Sequence, residues 1–353
     1  MSGNSSCLSQ ETVMKQSILV TGGAGFIGSH CCVELLDHNF NVIVLDNLSN
    51  SSIKVLDRIK KITGKELHFI QGDIRDKVLL DQVFTQHHID AVIHFAGLKA
   101  VGESMQVPLT YFDNNISGSI TLLQAMQQHR IGHLVFSSSA TVYGENYPSP
   151  LHEDLPTAQP TNNYGYSKLA VEQILQATAK ANDLWSFALL RYFNPIGAHQ
   201  SGLIGEDPNG IPNNLLPYVT QTAMGKREVL SIYGHDYPTQ DGTGVRDFIH
   251  VVDLAHAHVK ALQYLFTHKP SVGIWNIGTG TGYSVLEVVK RFEQVNQLKL
   301  NYQFVERRAG DVAVCFADAN KAKQDLGFVA EHNLDDMLRD VWHWQSQNPD
   351  GYA

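Results

Sequence analysis

The sequence predicts an α/β protein with a doubly wound parallel sheet and a second, smaller α/β domain. Three observations predict this fold. Short runs of apolar residues alternate with segments of helical length, and the runs are apolar throughout, as expected for strands covered on both faces. A glycine-rich turn joins the first run to the first helical segment. The length of 353 residues exceeds that of a typical single domain and leaves room for a second one.

The first half of the chain carries six predicted strands with helices between them. The strands are expected at 18–20, 42–45, 67–70, 91–95, 134–136 and 187–190. The helices are expected at 27–37, 79–86, 118–129 and 164–181. This alternation is typical of a doubly wound sheet.

The second half of the chain differs from the first in composition and has longer irregular segments. Residues 194–217 and 234–244 are rich in Pro, Gly and Asn, and such long irregular segments are usually functional loops. Beyond them we expect a helix at 252–266, a strand at 274–277, a helix from 285, a strand at 302–305 and a final helix through 344. We interpret these elements as a smaller lobe that closes over the first. The expected division is a flexible extension at 1–16, a first domain at 17–192 and a second at 193–353.

Composition and charge exclude several classes of protein. The net charge of −9 disfavours binding to nucleic acid, which depends on clustered Lys and Arg. No apolar run approaches the roughly 20 residues of a membrane span, so a soluble protein is expected. The cysteines at 7, 31, 32 and 315 fit neither a disulfide framework nor a zinc site, and they predict reduced thiols in a cytoplasmic protein. We expect no metal, because His256 and His258 are two residues apart and do not share a helix face.

The glycine-rich turn predicts a dinucleotide site. Gly22, Gly25 and Gly28 follow the first strand directly and open the first helix, where backbone N–H groups can meet a pyrophosphate. Asp46 ends the second strand 18 residues after Gly28, where a carboxylate can hydrogen-bond an adenosine ribose. A carboxylate there would repel a 2′-phosphate. The pattern therefore favours NAD over NADP.

A second group of residues predicts proton transfer. Tyr164 and Lys168 are four residues apart and share a helix face, whereas Tyr166 does not face the lysine. A phenol must lose about 2–3 pKa units to act as a base near neutrality, and one ammonium at ~4–6 Å supplies about that much. Ser139 and Thr141 stand at the end of the fifth strand.

These residues resemble the extended short-chain dehydrogenase/reductase superfamily, whose parallel sheet is of the Rossmann type. Further segments look like the UDP-glucose 4-epimerase family and run through nearly the whole chain after residue 16. They are HFAGLKAVGES (94–104), SSSATVYG (137–144), LLRYFNPIGAH (189–199), EDPNGIPNNLLPY (206–218), YGHDYPTQDGTGVRDFIHV (233–251) and WHWQ (342–345).

The resemblance implies an NAD-dependent enzyme that inverts C4 of a UDP-hexose through a transient 4-keto sugar. By this resemblance Tyr164, Lys168 and Ser139 are catalytic, and Lys168 depresses the pKa of Tyr164. The first domain is then the NAD-binding domain, and the second mainly binds the UDP-sugar. The implied cofactor contacts are Gly22, Gly25, Phe26, Ile27, Gly28, Asp46, Asn47, Asn50, Ser51, Asp73, Ile74, Phe95, Ala96, Lys99, Asn114, Tyr164, Lys168 and Phe193. The implied substrate contacts are Lys99, Ser139, Ala140, Thr141, Tyr164, Asn194, Asn213, Asn214, Leu215, Ser231, Ile232, Tyr233, Arg246, Arg308, Asp311 and Cys315.

Three expectations concern specificity, assembly and alternatives. Cys315 stands where bacterial members typically have Tyr, and a smaller side chain near the sugar predicts that N-acetylated UDP-hexosamines are also accepted. The resemblance also implies a homodimer.

A sugar-nucleotide 4,6-dehydratase stays open as an alternative, although Ala140 occupies the place where that class carries an acid. A non-catalytic NAD-binding scaffold is the other alternative, although both Tyr164 and Lys168 are present.

Overall fold

The computed structural model describes residues 15–157, 159–210, 212–269, 271–308 and 310–353. Cys7 and all but the last two residues of the predicted extension at 1–16 lie outside the described residues. Within the described part of the chain, no helix combines the length and the apolar character that a membrane crossing requires.

The strands and helices alternate through the first two thirds of the chain. The strands are β1 Ser17–Thr21, β2 Asn41–Asp46, β3 His68–Gln71, β4 Ala91–His94, β5 His133–Ser139, β6 Ser186–Tyr192, β7 Asn194–Ile196, β8 Leu230–Tyr233, β9 Val245–His250, β10 Val272–Ile277, β11 Gly282–Ser284, β12 Tyr302–Val305 and β13 Val314–Cys315. The α-helices are α1 Phe26–Asp37, α2 Lys54–Thr63, α3 Lys77–Gln86, α4 Val101–Gln106, α5 Pro108–Tyr111, α6 Gly118–Gln128, α7 Asn163–Ala181, α8 Leu215–Ala223, α9 Val251–His268, α10 Val285–Asn296, α11 Asn320–Leu326 and α12 Leu334–Gln347. A π-helix (Phe112–Ser117) joins α5 to α6, and a 3₁₀ turn (Ala140–Tyr143) follows β5.

A seven-stranded parallel sheet forms the centre of the molecule, in the order β10-β6-β5-β4-β1-β2-β3. Its inner strands are buried on both faces, whereas the edge strand β3 is partly exposed, and successive side chains point to opposite sides. Ile18 and Val20 pack into one core with α1 and α9, and Leu19 packs into the other with α3 and α6. The predicted doubly wound sheet is confirmed, and each of its six predicted strands overlaps an observed one.

Two elements lie in a different place from the one that the sequence predicted. The helix at 252–266 and the strand at 274–277 were expected in the smaller lobe. In the structure α9 packs on α1, and β10 pairs with β6 as the seventh strand of the central sheet. That part of the prediction is wrong, because a short apolar strand does not reveal from its own sequence which sheet it joins. The outer limits of the two domains stay a prediction.

The remaining elements form a smaller unit beside the carboxyl ends of the central strands. β11, β9, β13 and β7 make one small sheet, and β8 pairs with β12. Leu216, Phe248, Val288 and Met337 are among the apolar residues that fill its core. Ser284 is the N-cap of helix α10 and forms a capping box with Glu287.

Candidate active site

One large cavity of about 1290 Å³ opens at the carboxyl ends of the central strands, between the sheet and the smaller unit. Gly22, Asp46, Phe95, Ser139 and Phe193 line it, and each ends or directly follows one of the strands β1, β2, β4, β5 and β6. This edge is where a doubly wound sheet binds its ligand. The volume exceeds the ~300–1000 Å³ of typical ligand pockets, so the cavity has room for more than one drug-sized molecule.

The glycine turn leaves backbone groups open to a ligand. Helix α1 begins at Phe26 after Gly25, whose lack of a side chain leaves the N–H groups of the first turn free of a side-chain cap. Gly28 lies against the turn, because a Cβ atom there would stand 2.3 Å from the carbonyl oxygen of Gly22. The helix N-terminus and the absence of side chains together form an anion-binding surface that fits a pyrophosphate.

Asp46 connects the glycine turn to the loop that follows β2. Its carboxylate accepts hydrogen bonds from the backbone N–H of Ala24 at 3.0 Å, from that of Leu48 at 2.9 Å and from the hydroxyl of Ser51 at 2.9 Å. A carboxylate has about four lone-pair positions, so one stays available for a ribose hydroxyl. The residue is buried beside the cavity. These groups fit the adenosine end of NAD.

Tyr164 lies at the start of α7 and faces the cavity. Asn162 caps this helix, and its side-chain oxygen accepts from the N–H of Gly165 at 2.8 Å. The Tyr164 hydroxyl is hydrogen-bonded to Ser139, whose own oxygen accepts from the hydroxyl of Thr141 at 3.0 Å. Ser139 and Thr141 therefore hold the phenol oxygen in place.

The pKa of Tyr164 differs from the prediction. Removal from bulk water raises the pKa to about 12, although the hydrogen bond from Ser139 lowers it in part. In the protein alone the net pKa of Tyr164 is therefore raised and not depressed, because burial is the largest contribution. The Lys168 ammonium donates to the carbonyl oxygen of Ser137 at 2.7 Å and lies 5.9 Å from the centre of the Tyr164 ring, and its effect on the pKa of Tyr164 stays a prediction.

A buried ion pair lies near Lys168 and influences its charge. Burial lowers its pKa to about 8, and the carboxylate of Glu172, one turn further along α7, opposes that shift. Glu172 is in turn fixed by Arg191, with contacts of 2.6 to 3.3 Å, and by the Ser138 hydroxyl at 2.5 Å. Lys168 consequently stays mostly protonated at neutral pH.

The smaller unit contributes cations to the far side of the cavity. Asp311 lies between Arg246 at 3.7 Å and Arg308 at 3.0 Å, and the Arg308 guanidinium lies 5.0 Å from the centre of the Tyr233 ring. Nearer the sheet, the ammonium of Lys99 contacts the carboxylate of Glu206 at 3.1 Å. Two guanidinium groups on one wall of an acidic protein fit a diphosphate.

Most of the predicted contacts meet in this cavity. Those that line it are Gly22, Gly25, Phe26, Ile27, Gly28, Asp46, Asn47, Asn50, Ser51, Ile74, Phe95, Ala96, Lys99, Asn114, Ser139, Thr141, Tyr164, Lys168, Phe193, Asn194, Asn213, Asn214, Leu215, Ser231, Tyr233, Arg246, Arg308 and Asp311. Their individual roles stay predictions. The geometry brings the proton-transfer residues, the cofactor residues and the diphosphate cations to one space.

Four predicted contacts do not line the cavity. Asp73 is turned to Arg75, whose hydrogen bonds hold the pKa of that carboxyl well below its usual range. Ala140 is buried in the 3₁₀ turn, and Ile232 points into the core of the smaller unit because its strand neighbours Ser231 and Tyr233 face the cavity. Cys315 pairs in register with Arg246 on the neighbouring strand and packs against a cluster that includes Phe193.

Several lining residues were not predicted from the sequence. They include Glu206, Asp207, Tyr218, Arg227 and Tyr352. Glu206 and Asp207 belong to a segment that carried the family resemblance, so a polar pair next to Pro208 was the available signal. No sequence pattern indicated that Tyr352 lines the cavity, because its position depends on how the chain folds back after α12.

A group of potential metal ligands lies outside this cavity. Glu34, His38 and His256 each place one ligand-type atom within 4.8 Å of the others. The sequence predicted no ligand cluster near His256, and that statement is wrong, because α9 packs across α1 and brings residues 222 positions apart together. In this group the His256 and His38 rings lie 3.5 and 3.9 Å from the Glu34 carboxylate.

The chain resembles known proteins over almost its whole length. Residues 18–278 match the NAD dependent epimerase/dehydratase family. A UDP-glucose 4-epimerase of Bacillus subtilis (strain 168) is 58% identical over 336 residues, which cover 95% of this chain and 98% of the relative. These matches span both the central sheet and the smaller unit.

Solved structures with bound ligands have the same fold. The UDP-glucose-4-epimerase of Stenotrophomonas maltophila with bound NAD and formylated UDP-arabinopyranose aligns with a TM-score of 0.92 at 51% identity, over 95% of this chain and 99% of that one. The enzyme of Bifidobacterium longum in complex with NAD+ and UDP aligns with a TM-score of 0.91 at 50% identity, over 95% and 100%. Fold and site thus define an NAD-dependent enzyme of the epimerase/dehydratase family. Within that family, the chain belongs to the UDP-glucose 4-epimerases.

Proposed function

We propose that the enzyme interconverts UDP-galactose and UDP-glucose by inverting C4 of the hexose through a transient 4-keto sugar, with NAD held throughout. This reaction belongs to galactose metabolism. The observation that carries the proposal is that Tyr164, the glycine turn and Arg246 line a single cavity. A proton-transfer group, a dinucleotide surface and a diphosphate surface therefore face one another.

Tyr164 takes the proton of the 4-hydroxyl and later returns it to the same oxygen, and C4 inverts because the hydride would come back to the opposite face of the 4-keto sugar. Ser139 donates a hydrogen bond to the phenol oxygen, and it is itself oriented by Thr141. When bound, NAD supplies the hydride acceptor and donor for C4 together with a positive charge near the phenol. That charge is needed because burial alone raises the pKa of Tyr164 to about 12. General acid–base help of this kind is worth roughly 10²–10⁴ in rate.

Arg246 and Arg308 bind the diphosphate of the UDP-sugar. Asp311 forms ion pairs with both guanidinium groups and orients them before the substrate binds. Arg246→Gln or Arg308→Gln should raise KM for UDP-galactose at least tenfold and change kcat less, because the contact exists in ground state and transition state alike. Arg307→Gln is the matched control. That neighbour pairs with Asp236 and stacks on Tyr237 instead of lining the cavity. An unchanged KM in both test variants would contradict this assignment.

The two alternatives are less well supported by the site. A 4,6-dehydratase needs an acid beside the Ser139 position, and Ala140 stands there. A scaffold that only binds NAD has no use for Tyr164 and Lys168 on the cavity wall, yet both lie there.

N-acetylated UDP-hexosamines are proposed as additional substrates. Cys315 supports this proposal indirectly, since it lies beside Arg246 and packs with Phe193, so a larger residue would crowd these wall residues. Cys315→Tyr should abolish turnover of UDP-GlcNAc and keep turnover of UDP-galactose. If the wild type does not turn over UDP-GlcNAc, the inference from the smaller volume of the Cys315 side chain is wrong.

The assembly is proposed to be a cytoplasmic homodimer. Apolar side chains of Val101, Met105, Leu109 and Tyr166 are exposed on the neighbouring helices α4, α5 and α7. An exposed apolar patch on adjacent helices suits a second copy of the chain. Leu109→Glu should convert a dimer to a monomer in sedimentation experiments, and a monomeric wild type would refute the proposal. The unpaired thiols of Cys31 and Cys32 are consistent with a reducing compartment.

The central experiment incubates the purified protein with UDP-galactose without added nucleotide and follows the appearance of UDP-glucose. Tyr164→Phe should keep its bound NAD and lose at least a hundredfold in kcat. Tyr166→Phe, two residues further along the same helix and exposed, should keep wild-type turnover. Full activity in Tyr164→Phe would remove this phenol from the mechanism.

A further inference from the structure

The segment at residues 203–209, here called the strap, crosses one side of the cavity. Residues 205–209 line it together with the glycine turn. At one end of the strap, the N–H of Asn209 donates to the side chain of Asn50 at 3.3 Å. In its middle, Glu206 contacts Lys99 at 3.1 Å. The strap therefore contacts two residues, Asn50 and Lys99, that line the part of the cavity where the cofactor is expected to bind.

Tyr352 anchors the strap from the far end of the chain. Its hydroxyl accepts from the N–H of Gly205 and donates to the carbonyl of the same residue, both at 3.1 Å. Its own N–H donates to the carboxylate of Asp207 at 2.9 Å. The two hydroxyl contacts are buried, so losing the hydroxyl would leave both backbone groups of Gly205 without their partner.

The anchor is packed as well as hydrogen-bonded. The Trp344 ring lies 4.8 Å from the Tyr352 ring, and its indole N–H donates to the carbonyl of Glu206 at 3.3 Å. A Cβ atom on Gly205 would stand 2.4 Å from the Trp344 ring, so only glycine allows the strap to lie this close to α12.

Arg58 joins this anchor to the dinucleotide-binding part of the molecule. It belongs to α2, the helix that follows the loop after Asp46. Its guanidinium lies 4.8 Å from the Tyr352 ring centre and 5.4 Å from that of Trp344. It also donates to the carbonyl of Leu203 at 3.0 Å. The strap is thus fastened to both sides of the cavity.

We propose that Tyr352 and Arg58 are positioning residues that hold the strap closed beside bound NAD and thereby limit its release. Neither side chain needs to touch the reacting atoms. The strap has to move away from Asn50 and Lys99 before a dinucleotide can leave past it, and the Tyr352 hydroxyl opposes that movement. An enzyme that restores its cofactor within each turnover benefits from slow release. The proposal rests on NAD as the resident cofactor and not on the stereochemistry of the reaction.

The test measures NAD release and not turnover alone. Holoenzyme loaded with radiolabelled NAD is mixed with excess unlabelled NAD, and the label that remains bound is followed with time. Tyr352→Phe should release label about tenfold faster, because two hydrogen bonds are lost. Its kcat at saturating added NAD should change much less than its rate of NAD release. If the epimerase assignment failed instead, turnover would be absent while the difference in release persisted.

A second variant and a control keep the outcome decisive. Arg58→Gln weakens the same anchor from α2 without altering Tyr352, and it should also release NAD faster. Asp350→Asn is the control, because this neighbour of Tyr352 pairs with Lys226 at the surface. Wild-type release rates in both folded test variants would overturn the proposal, as would an equal acceleration in Asp350→Asn. If Tyr352→Phe does not fold, Arg58→Gln decides.

Discussion

The ammonium of Lys168 lies 5.9 Å from the centre of the Tyr164 ring and donates its hydrogen bond to the carbonyl of Ser137. One helical turn separates the two residues, so the shared face that the sequence predicted exists. In the protein alone, this arrangement positions the lysine without making the phenol acidic. The pKa of Tyr164 accordingly depends on what else occupies the cavity.

Tyr164 should change its ionisation when NAD binds. Because burial raises the pKa to about 12, the phenol of cofactor-free protein should stay protonated between pH 7 and pH 10. The positive charge of bound NAD should lower the pKa and create about one tyrosinate per subunit in that range. The difference in ultraviolet absorbance between wild type and Tyr164→Phe measures this signal.

The same titration has a control within helix α7. Tyr166→Phe should leave the NAD-dependent signal intact. A cofactor-free protein in which Tyr164 already ionises below pH 9 would contradict the predicted direction.

Loss of the buried carboxylate of Glu172 should destabilise the fold. Glu172→Gln keeps the size of the side chain and leaves the guanidinium of Arg191 buried without its counter-ion. Breaking such a pair typically costs about 3–5 kcal/mol in the free energy of unfolding, which urea denaturation measures. Glu66→Gln is the control, because its pair with Lys60 lies at the surface and should have little effect. Equal stability of both variants would show that the buried pair is not a net contributor.

Acid should destabilise the protein through three buried histidines. Burial lowers the pKa of His30 and His94 to about 3 and that of His258 to about 4, so all three stay neutral in the fold. The unfolded chain binds protons below pH 6.5 while the folded chain does not, so stability falls as the pH drops. Each histidine should remove about 2 kcal/mol of unfolding free energy between pH 7 and pH 5.

Substitution of one of these histidines tests the predicted loss of about 2 kcal/mol in unfolding free energy. Urea unfolding of His258→Phe with excess NAD should show a drop between pH 7 and pH 5 that is about 2 kcal/mol smaller than in the wild type. His152→Gln, an exposed position, should keep the full drop. The prediction fails if His258→Phe and the wild type lose the same amount.

A methyl group on Gly28 should impair NAD binding. Because a Cβ atom would stand 2.3 Å from the Gly22 carbonyl oxygen, Gly28→Ala must displace the turn that would contact the pyrophosphate. We expect NAD affinity to fall at least tenfold in equilibrium dialysis, and overpacking to cost about 1–3 kcal/mol in stability. Gly102→Ala adds the same methyl group where no atom lies within 4 Å, so its unfolding free energy should stay within about 1 kcal/mol of the wild type. Normal NAD affinity in Gly28→Ala would show that the turn adapts.

The sequence predicted the parts of this molecule that depend on local pattern. The six first strands, the glycine turn and the Tyr164–Lys168 spacing are local features, and the structure contains each of them. Features that depend on tertiary placement were missed or misplaced. Strand β10 joins the large sheet because α9 returns the chain to it, and Cys315 lies beside Arg246 because β13 pairs with β9.

The electrostatic environment of the site could not be predicted from the sequence either. The spacing of Tyr164 and Lys168 said nothing about the Ser137 carbonyl, which binds the ammonium, or about the burial that raises the Tyr164 pKa. Likewise, the contact between Tyr352 and Gly205 joins residues 147 positions apart, and no periodicity in the sequence could indicate it.

The pairing of β10 with β6 makes the nucleotide-binding layer dependent on chain that is synthesised much later. A fragment ending at residue 192 would expose the full hydrogen-bonding edge of Ser186–Tyr192, a buried and largely apolar strand in the complete protein. Such an edge recruits other strands, so the excised fragment should self-associate instead of remaining a monodisperse mini-protein. The central sheet is therefore complete only after residues 272–277 have been synthesised.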